Sequence, residues 1–161
     1  EKKSVSFYQK ISIWKKSWKR QGQNDMVILI DTNVIIDFLI TREPFYKTAS
    51  EIIERCADGR LSGYIAFHSI SNLWYILRKV PEDKRREWMK DICSILRVAG
   101  ASHEEMLRAI ERKEFKDFED CLQDRCAKGV KAQYIVTRNT KDFLGSEVPA
   151  VLPEEFLEEL V

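Results

Sequence analysis

Apolar positions fall into short runs separated by longer segments with helical spacing. Residues 26–30 are five consecutive apolar residues running into Asp31-Thr32-Asn33, the pattern of a strand buried on both faces. Val34 to Leu39 then carries apolar residues on most sides and predicts the first turns of a helix, with Thr32 or Asn33 as its N-cap. Asp31 is thereby placed at the carboxyl end of a central strand, facing a helix N-terminus. Open parallel sheets bind ligands in the crevice outside their strand ends. Taken alone, the same Asp is equally well explained as an ordinary cap at a strand–helix turn.

Thr41-Arg42-Glu43-Pro44 breaks the pattern, and Pro44 suits the first turn of a second helix. Its stripe is Ala49, Ile52, Ile53 and Cys56, and Asp58-Gly59 closes it with Gly59 at C′. Residues 63–67 predict a second strand. Ser69 or Ser71 is then expected to cap a third helix bearing Leu73, Trp74, Ile76 and Leu77. Pro81 opens a fourth helix over residues 82–98, with Trp88, Met89, Ile92, Cys93, Ile95 and Leu96 inward, and residues 97–101 predict a third strand. Helical spacing resumes over 103–113 and 116–128, the latter ending at Gly129. Tyr134-Ile135-Val136-Thr137 is apolar and β-branched and predicts a strand, followed by Arg138-Asn139-Thr140-Lys141-Asp142-Phe143. Residues 148–152 give a last short strand. Pro153 begins a final helix with Phe156, Leu157 and Leu160. Strands alternating with helices imply an α/β fold with a parallel sheet covered on both faces.

Composition narrows the class. A chain of 161 residues, 44% hydrophobic and 33% charged, reads as one soluble globular domain. No apolar run approaches the ~20 residues of a membrane span. The basic opening segment lacks the apolar centre of a secretory signal, so a cytoplasmic protein without a membrane association is expected. Cys56, Cys93, Cys121 and Cys126 have neither metal-site nor disulfide-framework spacing and read as free thiols. No glycine-rich phosphate loop is present, which removes the main support for dinucleotide and P-loop functions.

The net charge of +1 conceals an asymmetry. Residues 1–25 hold seven basic and two acidic side chains, and the remainder hold 20 basic and 24 acidic ones. A basic arm on a neutral-to-acidic body points to an anionic partner. Residues 1–25 read as a basic, aromatic N-terminal extension, and 26–161 as the domain. Ile11, Trp14 and Trp18 fall at i, i+3, i+7, a stripe suited to docking on protein. The same mixture of aromatics and lysines also suits nucleic acid. Docking is the favoured expectation.

Three segments bring carboxylates toward one place. Asp31 ends the first strand and Asp142 follows the strand at 134–137, and both ends point the same way in a parallel sheet. Between them, Asp117, Asp120 and Asp124 are spaced three and seven apart on one helix face. Stacked like charges repel and gain nothing without a cation. Converging carboxylates hold hard divalent ions through oxygen, and Mg2+ or Mn2+ so held keeps waters and accepts phosphate oxygens. This is the chemistry of phosphodiester cleavage, and it needs no Cys, His or Ser nucleophile. His68 and His103 are the only histidines, and His68 reads as a turn residue.

DTNVIIDFL, FEDCLQDRCA and IVTRNTKDF, in this order and spacing, resemble the signature of PIN-domain proteins, and among them VapC-type toxins of toxin–antitoxin pairs. The resemblance covers residues 26–161. It implies a three-layer α/β/α, Rossmann-like fold with a central, mostly parallel sheet, and a Mg2+- or Mn2+-dependent ribonuclease. It also implies an RNA substrate, an antitoxin partner and a homodimer. By position, Asp31, Asp120 and Asp142 match three of the family's four acidic residues, and Asp117 matches an extra carboxylate of some members. Asn33, Thr137 and Asn139 match polar residues that orient ligands around the metal. The chain departs from the pattern on the third helix, where Asn72 stands at the place of a Glu. Asn brings no charge, and Asp117 is expected to restore it from across the site. RNA would be held partly by Arg42, Arg78, Lys79 and Arg138, phosphate contacts that give affinity more than sequence choice. Asn72 favours one alternative, a non-catalytic PIN-like binding module. A Rossmann-like Mg2+ phosphatase would want an Asp two residues after Asp31, and Asn33 is there instead.

Overall fold

The computed structural model describes residues 26–160. The expectations for the aromatic arm, Trp14 and Trp18 included, lie outside the described residues. The described chain runs β1 (Met26–Ile30), α1 (Thr32–Leu39), α2 (Tyr46–Ala57), β2 (Leu61–Ala66), α3 (Phe67–Ile76), α4 (Glu82–Ile95), β3 (Arg97–Ala99), α5 (His103–Glu111), α6 (Phe118–Gly129), β4 (Tyr134–Val136), a 3-10 turn (Thr140–Phe143), β5 (Ala150–Val151) and α7 (Pro153–Glu159). The five strands form one sheet in the order β3-β2-β1-β4-β5, with every neighbouring pair parallel. The architecture is the three-layer α/β/α fold that the strand–helix alternation predicts.

The unbroken apolar run of β1 follows from its place at the centre. Ile28 and Ile30 face a core built with Val34, Ile35 and Phe38 of α1, Ile52 and Ile53 of α2, Leu73 of α3, Ile92 of α4 and Phe156 of α7. Leu29 faces the opposite layer, packed with Ile135, Cys126, Ala127 and Phe143. All three β1 residues are fully buried. Neither face can carry a polar side chain, so alternation disappears. The sheet order reverses beside β1, which sends its crossovers to β2 on one side and pairs with β4 on the other. Such a switch point leaves a crevice outside the strand ends. The Asp31 amide, just past β1, still donates to Val136 O at 3.0 Å, so the ends of β1 and β4 are locked in register.

Five local expectations need correction. The N-cap of α1 is Asp31 and not Thr32 or Asn33, although its extended backbone (φ −67°, ψ 150°) makes no side-chain cap bond. The helix α3 begins at Phe67, directly after β2, with no room for a cap at Ser69 or Ser71. Ser69 is buried inside the helix, whereas Phe67 is 71% exposed, so its apolar character misled the strand boundary. The helix α4 ends at Ile95 because Leu96 returns to extended backbone (φ −103°, ψ 139°) to feed β3. Its Cys93 is exposed, not inward. Pro44 precedes α2 without entering it, while Gly59 does take the left-handed backbone (φ 80°) expected just past the C-cap Asp58.

Candidate active site

The carboxyl ends of β1 and β4, with α3 and the first turns of α6, enclose a cleft of about 480 Å³. Its wall carries Asp31, Asn33, Arg42, Asn72, Asp117, Glu119, Asp120, Gln123, Asn139 and Asp142. Four carboxylates predicted from sequence, Asp31, Asp117, Asp120 and Asp142, therefore meet in one place, joined by Asn33, Asn72 and Asn139.

Asp31 is buried at the base. Thr137 Oγ1 donates to its Oδ2 at 2.7 Å and Asn33 Nδ2 to the same oxygen at 2.9 Å. Gln123 Nε2 donates to Oδ1 at 2.8 Å. All three donors are neutral. They orient the carboxylate, and Oδ1 retains acceptor capacity. The Asn139 amide donates to Thr137 Oγ1 at 3.0 Å, and the Arg138 amide to Asn33 Oδ1 at 3.3 Å, so the turn after β4 and the start of α1 are tied through the same polar knot.

Acidic groups surround Asp120, in the first turn of α6. Burial, and then the neighbouring Asp31, Asp117, Asp142 and Glu119, push its carboxyl up to about 7. Glu119 is raised too, first by burial, against the lowering effect of a hydrogen bond from Asn72. Asp117 is the N-cap of α6 and accepts from the Glu119 amide at 2.8 Å. The helix N-terminus thus occupies one of its oxygens. The side chain that meets Asn72 is Glu119, whose Oε1 accepts from Asn72 Nδ2. Asp124 leaves the acidic face: it is fully buried on Arg112 and Arg125.

The four predicted RNA-binding cations separate. Arg42 lines the cleft, 44% exposed, with its Nε 3.6 Å from the buried Asp37. Arg78 and Lys79 are exposed just beyond α3, with the Arg78 guanidinium 4.4 Å over the Tyr75 ring. Arg138 turns away: its Nε donates to Asp37 Oδ2 at 2.6 Å and its guanidinium stacks 4.2 Å over Phe45. Asp37 thus absorbs much of the charge of Arg138 and anchors Arg42.

Two cleft residues escaped the sequence reading. Gln123 lies three residues after Asp120, one helical step along the same face, and that spacing was the available signal. Nothing in the sequence distinguishes Glu119 from an ordinary first-turn acid favoured by the helix dipole.

The donor set is all oxygen, which fits a hard divalent ion that keeps part of its water. Two buried acceptors on the wall, Gln123 Oε1 and Thr32 Oγ1, have no hydrogen-bond partner, and a hydrated cation would supply donors there. Among the described residues, no three His, Cys, Asp or Glu side chains already stand in ligating geometry. Like charges with no cation between them spread apart, and Asp31 and Asp117 are held by other bonds.

The raised Asp120 pKa has a consequence for stability. An acid whose folded pKa exceeds its usual 3.8 destabilises the fold once it ionises. That cost is absent at pH below 3.8, grows as pH rises, and is complete above about 7. Asp120→Asn should therefore raise the melting temperature of the metal-free protein most above neutrality, by less as pH falls toward 4, and not at all below 3.8. Thermal unfolding in a chelator across this pH range measures the change.

Comparison with known proteins agrees with this geometry. The PIN-domain family model matches residues 27–141. No curated protein matches the chain. Several solved structures share the fold, among them the three that follow. A toxin–antitoxin complex from Klebsiella pneumoniae is 23% identical, with a TM-score of 0.61 over 78% of this chain and 97% of the other. A VapBC complex from Rickettsia felis, bound to a DNA fragment from its promoter, is 15% identical, with a TM-score of 0.59 over 79% and 98%. A VapC toxin of Mycobacterium tuberculosis described as cleaving the sarcin–ricin loop is 16% identical, with a TM-score of 0.54 over 67% and 86%. The match spans most of the described chain, from β1 to the turn that carries Asp142, and the protein belongs to the PIN-domain family.

Proposed function

We propose that the protein is a divalent-metal-dependent endoribonuclease and the toxin half of a toxin–antitoxin pair. The observation that carries this reading is the cleft at the β1/β4 switch point, where five carboxylates converge around a buried, neutrally hydrogen-bonded Asp31. Asp31, Asp120 and Asp142 would hold Mg2+ or Mn2+, with Asp117 contributing through water. When bound, the ion would neutralise charge building on a phosphate and make a water more acidic. Thr137, Asn33 and Gln123 fix Asp31, so its carboxylate need not reorganise during the reaction. Asn139 presents its side-chain amide to water or phosphate, while Asn72 directs its own to Glu119. Arg42, tethered by Asp37 at the cleft wall, is placed to pair with a backbone phosphate, and Arg78 and Lys79 extend that contact along RNA.

The toxin assignment is supported by the solved neighbours, two of which are toxin–antitoxin complexes. An antitoxin protein and a second copy of the chain are the proposed partners, and a cytoplasmic location accords with RNA as substrate. No helix among the described residues is long and apolar enough to cross a membrane.

Single-turnover cleavage of several structured RNAs tests this reading. Cleavage should depend on Mn2+ or Mg2+ and stop with a chelator. RNA binding without cleavage, across a wide range of metal concentration, would make the chain a non-catalytic PIN-like binding module, the alternative that the uncharged Asn72 favours.

A further inference from the structure

The α3 corner of the cleft carries no charge of its own. Asn72 stands there, half-buried, and points its amide across to α6, where Nδ2 donates to Glu119 Oε1. Both residues line the cleft beside Asp31 and Asp120. Glu119 is fixed from a second side as well, since its amide is held by Asp117 Oδ1 at 2.8 Å. An amide that donates to a carboxylate orients it without neutralising it, unlike a Lys or Arg in the same place. Among the described residues no Lys or Arg pairs with the Glu119 carboxylate, in contrast with Asp37 and Asp124.

An independent feature of the same wall points to a ligand. Gln123 lies one turn further along α6 and is only 1% exposed. Its Nε2 is used on Asp31, while its Oε1 has no partner among the described residues. A buried acceptor left open costs free energy unless a donor reaches it. On a wall of carboxylates, the donor that fits is a water carried by a cation.

We infer that Glu119, aimed by Asn72 across the cleft, supplies the fourth carboxylate of the cation site from the first turn of α6. This rests on the metal-site reading above and deepens it. Asn72 is a positioning residue, and its lack of charge is compensated by the group it holds. Asp117, with one oxygen committed to the α6 cap, is less suited to that task than the sequence suggested.

Mn2+ titration followed by electron paramagnetic resonance tests the inference without any need for turnover. Glu119→Gln should weaken Mn2+ binding about tenfold or more, the scale on which supporting groups tune metal sites. Asn72→Ala should act in the same direction by a smaller factor. The transposed double variant, Asn72→Glu with Glu119→Gln, should recover most of the lost affinity. Glu158→Gln, in the last turn of α7 where the neighbouring Glu159 meets Tyr134 at the amino end of β4, removes one exposed negative charge and should leave binding unchanged. Thermal unfolding of each variant checks that the fold persists, and the double variant shows whether a loss reflects the missing charge or a damaged α6. If the parent binds Mn2+ and Glu119→Gln binds it within about twofold, or if transposition recovers nothing, Glu119 has no such role and the metal reading survives. A parent protein that binds no Mn2+ overturns both.

Discussion

Asp31→Asn is expected to lower single-turnover RNA cleavage by about 10³-fold, equivalent to about 4 kcal/mol of transition-state stabilisation, while the protein stays folded. The substitution removes a charge and almost no volume. A new amide can keep its oxygen toward Thr137 and Asn33, which both donate to Oδ2. Its nitrogen then faces Gln123, where Nε2 now donates. Rotation of the Gln123 amide would bring its unpartnered Oε1 to that nitrogen and turn Nε2 to the position Oε1 now holds, where a water must accept from it. The polar knot is thus preserved and the repulsion on Asp120 falls, so stability should hold or rise as activity disappears. Loss of cleavage with an unchanged or higher melting temperature identifies Asp31 as a working carboxylate. Cleavage within about tenfold of the parent would show that Asp31 is only a strand–helix cap.

Asp124→Ala should do the reverse, costing about 3–5 kcal/mol of stability with little effect on cleavage per folded molecule. Asp124 is fully buried. Its Oδ2 accepts from Arg112 Nη1 at 2.8 Å and Arg125 Nη2 at 3.0 Å, and its Oδ1 from the amides of Glu147 and Val148, both at 3.0 Å. One carboxylate therefore ties α6 to the residue after α5 and to the loop that feeds β5. Arg112 also donates to Gly145 O, and Arg125 lies 2.8 Å from Glu147. Removing Asp124 leaves Arg125, only 3% exposed, without a main counter-charge and strands two amides. Denaturant unfolding gives the loss directly. The hydrogen bonds of Lys128 and Arg125 hold the Glu147 carboxyl down at about 2, but that group is surface-exposed and cannot replace the buried acceptor.

The contrast between Asp120 and Asp124 shows what spacing can and cannot reveal. Helical periodicity correctly placed them near one face of α6. It could not show that the first turn of that face meets the cleft while the second meets Arg112 and Arg125, because those partners come from tertiary packing. The sheet was legible because β1 and β4 are short apolar runs with polar residues at their carboxyl ends, and parallel order makes those ends neighbours. Asp31 and Asp142 followed from that fact, whereas Thr137 and Asn139 were marked only by the family resemblance. Boundaries failed where an element began with no loop before it, as at Phe67. The role of Arg138 was hidden because Asp37 sits inside α1, where an Asp between apolar residues gave no sign of its partner. Glu119 and Gln123 were missed because an acid or amide in a helix takes its meaning from what lies opposite, Asn72 in one case and Asp31 in the other.

On the proposed function, the cleft at the β1/β4 switch point holds a divalent cation for RNA cleavage. Anomalous diffraction at the manganese edge, from crystals grown with Mn2+, tests it most directly. The account predicts a peak enclosed by Asp31, Asp120 and Asp142, with Glu119 on its α3 side. A crystal with these side chains ordered, saturating Mn2+ and no peak among them would contradict it.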